Sequence, residues 1–207
     1  GPAGGAIFAS HIARELDLDE VVSYDMGGTT AKICLIEDGQ PQTSRTFEVA
    51  RVYRFLKGSG LPLRIPVIEM VEIGAGGGSV AHIDALGRIA VGPESAGSEP
   101  GPACYGRGGE NPTVTDSDVV LGRIDPDNFA GGRMTLDRGA SEKVLDAVVG
   151  SALELDTPHA ALGVAEIVDE NMANAARVHA IESGKDIERR TLVVFGGAAP
   201  VHAARMA

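Results

Sequence analysis

Hydrophobic and polar positions divide this chain into segments of two distinct periods. Residues 2–16, PAGGAIFASHIAREL, set Ile7, Ile12 and Leu16 on one stripe with small residues between them, and Pro2 suits a first turn, so a helix is predicted there. Val21 to Asp25 and Ala31 to Ile36 read as strands. The turn Glu37-Asp38-Gly39-Gln40 ends the second and leads into another strand near Thr43 to Ala50, which makes an antiparallel meander. Arg51 to Gly60 is basic and mixed, and RIPVIEMVEI (64–73) reads as a strand with Pro66 near its start. From Gly74 to Asn111, 11 glycines separate short hydrophobic stubs, among them VAHID and GRIAVG as a hairpin around Leu86-Gly87. An excursion so rich in loops is uncommon in a compact domain unless it binds something. TVTDSDVVLGRI predicts a turn and a short helix capped by Asp116 or Ser117. Helices follow from about Ser141 to Leu153 and from Thr157-Pro158 to about Ser183, the second ended by Gly184. The chain closes with a strand, Thr191 to Phe195, a glycine pair, and a helix from about Ala198. No fixed-period repeat is visible.

Composition narrows the fold class to α/β. With 43% hydrophobic residues, 4% aromatics and no tryptophan in 207 residues, the core must be built from Val, Ile, Leu and Ala, the usual mix for a sheet covered by helices. That is enough for a sizeable core in one or two domains. A formal net charge of −11 repels nucleic acid and anionic membranes, so neither is an expected partner and a phosphate ligand would have to be held by local groups. Cys34 and Cys104 form no CxxC pair, which suits packed free thiols in a reducing compartment, and the cytoplasm is the expected location. No stretch approaches the ~20 apolar residues of a membrane span. The chain opens on GPAGGAIFAS without an initiator Met and stops at VHAARMA within a helical pattern, so it is expected to be a domain excised from a longer protein.

The chemistry concentrates at two glycine pairs. In Asp25-Met26-Gly27-Gly28-Thr29-Thr30, between two strands, the glycines remove the Cβ atoms that would keep a ligand away, and successive N–H groups can face one concavity suited to phosphate oxygens. Thr29 and Thr30 add hydroxyl donors. Asp25 would be repelled by a phosphate unless a divalent cation stood between them, which for Mg²⁺ is usually arranged through water. An ordinary Gly-Gly hairpin turn is the plain alternative. VVFGGAAP repeats the logic at the far end of the chain: strand, Gly196-Gly197, helix N-terminus, where free N–H groups suit an anion or nucleotide.

The order GPAGG, YDMGGTTAK and FGGAAPVHA resembles the hydantoinase A/5-oxoprolinase family of ATP-dependent amide-ring hydrolases, whose fold resembles that of actin and the sugar kinases. EIGAGGGSVAHID, GPESAGSEPGPACYGRGG, PTVTDSDVVLGRI and MANAARVHAIESGKD extend the resemblance over nearly the whole chain, in family order. The resemblance implies one actin-like (ribonuclease H-like) ATPase lobe over residues 1–207, with a mixed sheet, an antiparallel meander flanked by helices, and a glycine-rich insertion at about 51–135. The other lobe, with its own phosphate hairpin, is expected upstream in longer relatives. The resemblance further implies ATP and Mg²⁺ as cofactors. Asp25 is then the candidate catalytic and metal-holding residue; Gly27, Gly28, Thr29 and Thr30 cradle the phosphates, and Gly196 and Gly197 border the nucleoside. The implied substrate is a small cyclic amide such as a hydantoin or 5-oxoproline, activated at its oxygen by phosphoryl transfer and then attacked by water, with a hydantoinase B-type subunit or domain as partner. The corresponding subunit of an acetone- or acetophenone-type carboxylase shares these motifs, and a non-catalytic actin-like nucleotide-binding module is the reading from another class.

Two positions depart from the family pattern. Ala199 stands where relatives commonly have a third glycine before the proline, and Lys32 stands where some branches place an acid; strand alternation puts Lys32 on the face of Thr30. Other motifs weigh less. Ser95 in GPESAG lacks the glycine at 93 that a nucleophile elbow needs. Gly76, Gly78 and Ala81 fit a dinucleotide fingerprint, but a strand-like alternation follows where a helix should open. His11, His82, His159, His179 and His202 stand singly without metal-ligand spacing. Asp116 and Asp118 read either as a helix cap or as carboxylates for a metal or substrate, and the Gly74 to Gly78 loop either lines a cleft or makes tight turns.

Overall fold

The computed structural model describes residues 2–50, 52 and 58–207. The chain runs α1 (Pro2–Glu15), β1 (Glu20–Met26), β2 (Ala31–Glu37), β3 (Gln40–Pro41), β4 (Thr43–Ser44), β5 (Phe47–Val49), β6 (Leu61–Leu63), β7 (Val67–Ile68), β8 (Val71–Ile73), β9 (Ser79–Ile83) and β10 (Ile89–Ser95). There follow a 3₁₀ turn (Ala103–Tyr105), α2 (Val114–Val120), α3 (Arg138–Leu145), a π turn (Asp146–Gly150), α4 (Ser151–Leu153), α5 (Thr157–Glu182), β11 (Thr191–Phe195) and α6 (Ala199–Met206). Of the basic stretch from Arg51 to Gly60, residues 51 and 53–57 lie outside the described residues.

The main sheet has the order β11-β1-β2-β3, with β8 also pairing β2. It is mixed: β1 lies parallel to β11 and antiparallel to β2. Alternation decides what each face covers. Val22, Tyr24, Met26, Ala31, Ile33 and Leu35 point to one face and pack on Val168, Met172 and Ala176 of α5 and on Ala199 of α6. Val21, Cys34 and Ile36 point to the other and meet Ala6, Ala9 and Ala13 of α1. Each fully buried large apolar side chain contributes roughly 1.5–3 kcal/mol.

The inward stripe of α1 is therefore alanine, and the expected stripe of Ile7 and Leu16 is exposed, at 56% and 63%. Small side chains win because they let the helix axis approach the sheet; Gly5 lies against the Phe195 ring, where a Cβ would stand 2.1 Å from Cε2. The two strands predicted at 43–50 and 64–73 each break in two. β4 pairs β7 and β5 pairs β6 away from the main sheet, and β8 alone returns to β2.

A second apolar cluster lies under the N-terminal half of α5, where Ala160, Ala161 and Val164 meet Ala81, Val120, Leu145 and Val149. No helix among the described residues is long and apolar enough to cross a membrane. Both cysteines are free and buried. Burial pushes the Cys34 thiol up to about 11, and burial and the neighbouring Asp116 carboxylate push Cys104 higher still, so both are held as inert thiols.

Asp116 resolves as structural. The cap of α2 is Thr113, with Asp116 three residues on completing a capping box. The buried carboxylate accepts from Ala103 N (3.1 Å), Cys104 N (2.9 Å), Thr113 N (3.0 Å), Thr113 Oγ1 (2.8 Å) and Ser141 Oγ (2.7 Å). One carboxylate thus joins the 3₁₀ turn, α2 and α3. Asp116→Ala leaves those donors without an acceptor in a dry site and is expected to cost roughly 3–5 kcal/mol, read as a fall in the denaturant midpoint.

Candidate functional site

The two glycine bends leave the sheet side by side because β1 and β11 run parallel and end together. Asp25 is in register with Phe195, so Gly27 and Gly196 emerge from neighbouring strands at one edge. Ala198 N donates to Met26 O at 3.0 Å and ties the bends directly. Gly196 has φ +95, and a Cβ there would stand 2.5 Å from Met26 O and 2.7 Å from Asp25 Oδ1, so this turn requires glycine on both counts.

A third glycine run supports the hairpin from behind. Gly77 N donates to Gly27 O at 3.0 Å and Gly78 N to Gly28 O at 2.7 Å. A trans peptide points its N–H opposite to its C=O. Holding the Gly27 and Gly28 carbonyls inward therefore turns the N–H groups of Gly28 and Thr29 outward, to a face where both residues are exposed. Neither amide hydrogen-bonds to any described residue, and nor does that of the exposed Gly197. The Gly27 amide is different: it donates to Thr30 O at 3.1 Å and closes the turn. Cβ atoms built at Gly27, Gly28 and Gly197 meet nothing within 4 Å. Their open side is empty space, and their other side is backbone.

The Gly74 to Gly78 loop is thus the backing of the hairpin. Its residues 75–78 are buried, and a Cβ on Gly76 would stand 2.6 Å from both Gly28 C and Thr29 N. Only a glycine permits backbone to rest on backbone here.

Asp25, next to last in β1, is half-buried, on the same face as its cross-strand neighbour Lys32. Lys32 turns away from it: Nζ donates to Thr30 Oγ1 and pairs with Glu72 Oε1 at 3.3 Å. The expected shared face of Lys32 and Thr30 is observed, and the lysine charge is balanced by Glu72. Among the described residues none donates to the Asp25 carboxylate or pairs with it. No group of three or more metal-ligating side chains occurs among them either. A cation here would have one protein carboxylate, the pattern in which Mg²⁺ keeps waters and takes phosphate oxygens. The donor set fits that ion.

A buried ionic cluster behind α6 was not signalled by the sequence reading. His202, fully buried, has Nδ1 2.6 Å from Asp169 Oδ1 on α5 and Nε2 3.3 Å from Asp118 Oδ2 on α2. Arg123 Nη1 lies 3.4 Å from Asp118 Oδ1 and 3.7 Å from Asp169 Oδ2. Burial alone would push the His202 imidazole down, but the two carboxylates beside it outweigh burial and hold it up at about 9. The available signal was Asp169, an acid inside the apolar stripe of α5 between Ala165 and Met172.

The hydantoinase/oxoprolinase family profile matches residues 1–207. The chain is 38% identical over 205 residues to the acetophenone carboxylase gamma subunit of Aromatoleum aromaticum, covering 99% of this chain and 27% of that protein. It is 36% identical over 207 residues to the caprolactamase subunit alpha of Pseudomonas jessenii, covering 100% of this chain and 28% of that one. The crystal structure of the ATP-dependent caprolactamase from Pseudomonas jessenii superposes with a TM-score of 0.84 at 34% identity, over 100% of this chain and 28% of the other. The chain thus spans less than a third of these relatives. Matched from end to end in sequence and in its mixed α/β fold, the chain belongs to the hydantoinase/oxoprolinase family.

Proposed function

We propose that this chain is one nucleotide-binding lobe, of actin-like ATPase type, of an ATP-dependent hydrolase that opens a small cyclic amide. The observation that carries the reading is the pair of outward amides, Gly28 N and Thr29 N, fixed opposite two pinned carbonyls and beside the Asp25 carboxylate, which has no partner among the described residues. That is a polyanion seat with a place for a cation, on a chain whose net charge of −11 would otherwise repel phosphate.

In this reading the Gly28 and Thr29 amides and the Thr29 and Thr30 hydroxyls hold the phosphates, and Gly27 supplies room for their approach. Gly196 and Gly197 border the nucleoside. Asp25 holds the Mg²⁺ shell, and Lys32 orients the Thr30 hydroxyl. Bound ATP and Mg²⁺ supply phosphoryl transfer to the amide oxygen, which makes the ring carbonyl open to water. The chain's contribution is positioning and electrostatics. The opposite wall of the cleft comes from elsewhere in the full protein, a hydantoinase B-type subunit or domain is its expected partner, and the assembly is expected to work in the cytoplasm.

The test is ATP-dependent phosphate release by the full-length protein with its partner, against hydantoin, 5-oxoproline and a lactam, and separately against a ketone with bicarbonate. Stimulation by a cyclic amide is the expected result. Stimulation by the ketone alone would place the protein with the carboxylases, and binding of ATP without any stimulated release would make it a non-catalytic module.

A further inference from the structure

We propose that the Asp118, His202, Asp169 and Arg123 cluster is a positioning device for the nucleotide site, clamping α6 and its leading bend to the same helix that secures the backing of the hairpin. The inference rests on the functional reading above. The helix in question is α2, and it reaches both bends from one face. Thr115 donates to Gly77 O through N (2.7 Å) and Oγ1 (2.8 Å), and Gly77 N in turn donates to Gly27 O. One turn further along α2, Asp118 meets His202, which sits one turn into α6 beyond the Gly196-Gly197 bend. Gly77 is the junction: a Cβ there would be 2.8 Å from Thr115 Oγ1 and 3.8 Å from Ala198 Cβ.

The apolar contacts of α6 alone do not fix its place along its own axis. Ala199 and Met206 join the apolar cluster of β11 and α5, contacts that are non-directional, so beyond the Ala198–Met26 hydrogen bond at its start α6 is located by its polar partners. A buried imidazolium held between two carboxylates does not slide, because any shift leaves a charge unpaired in a dry site. The groups facing His202 are Asp118 on α2, Arg123 just beyond it and Asp169 on α5. On the outer side, Arg205 of α6 itself pairs with Glu166 of α5. The strands beneath present apolar side chains. With His202 charged, the four inner groups sum to zero. With His202 neutral they carry one uncompensated negative charge in a buried site behind the Gly196-Gly197 bend.

The sign of the pH dependence follows. A histidine ordinarily titrating near 6.5 is held up at about 9, so the clamp is fully present below pH 6.5 and is lost as the pH rises through about 9.

The test titrates Mg-ATP into the full-length protein at pH values from 7 to 10, alongside His202→Gln and Asp118→Asn. Wild-type affinity is expected to fall about tenfold across that range, and His202→Gln to bind throughout as weakly as the wild type does at pH 10, with a flat profile. The imidazole resonances of His202 in the wild type, followed by NMR, should titrate with the affinity; this arm needs no variant to fold. A wild-type profile that stays flat, or His202→Gln with wild-type affinity and profile, overturns the inference and leaves the nucleotide reading intact. A wild type that fails to bind Mg-ATP at pH 7 overturns both.

Discussion

Asp25→Ala is expected to lower nucleotide-dependent phosphate release by the full-length protein at least about a hundredfold while leaving its unfolding midpoint unchanged. The two halves of that expectation have separate causes. The carboxylate accepts no hydrogen bond and joins no ion pair among the described residues, so its removal leaves no donor orphaned and should change stability by no more than about 0.5 kcal/mol. Its position, with Oδ1 close under Gly196 and in register with Phe195, sets it beside the second bend, where the proposed function gives its charge a cation to hold. Asp25→Asn should lose nearly as much, because the amide keeps the shape but not the charge. Phosphate release within about threefold of wild type in either variant would remove the metal assignment.

Gly76→Ala is the second large effect, and it acts from behind the site. The added methyl would lie 2.6 Å from Gly28 C and Thr29 N and 2.7 Å from Gly28 O, all backbone atoms with no rotamer to yield. Either the hairpin moves outward or the backing loop retreats and loses the Gly77 and Gly78 bonds that aim the amides. Displacements of about 1 Å in a positioning element cost up to about a hundredfold in rate or affinity. Mg-ATP affinity should fall at least about tenfold, together with roughly 1–3 kcal/mol of stability. Circular dichroism and calorimetric titration on one preparation separate the two.

The elements that place the site were legible, because their signals are local. The apolar runs of β1, β2 and β11 gave strand ends within a residue or two of those observed, and the Thr157-Pro158 start and Gly184 stop of α5 marked a helix that forms as Thr157–Glu182. What escaped depended on partners distant in sequence. Asp116 reads as a cap from its neighbours alone, yet Ala103, Cys104 and Ser141 decide its role, and none of these lies within ten residues of it. His202 reads as a lone helix histidine until Asp169 and Asp118, from two other helices, close around it. The glycines of residues 74–78 read either as a cleft lining or as tight turns. Their purpose is to let one backbone lie on another, a requirement that leaves the same composition as a cradle does. In α1 the larger apolar residues point to a stripe through Ile7, Ile12 and Leu16, but close approach to the sheet favours Ala6, Ala9 and Ala13, which face inward.

Gly28→Ala isolates the central claim, that bare amides at a Cβ-free bend hold the phosphates. A Cβ at Gly28 meets nothing within 4 Å, and the residue's φ is not positive, so the fold has room for the methyl and only a ligand approaching the Gly28 and Thr29 amides does not. The measurement is a calorimetric titration of Mg-ATP into full-length wild type and Gly28→Ala, with unfolding midpoints taken on the same samples. Equal midpoints with an affinity at least about tenfold weaker in the variant is the predicted result. Equal midpoints with equal affinity would contradict it, because the bend would then be only a turn.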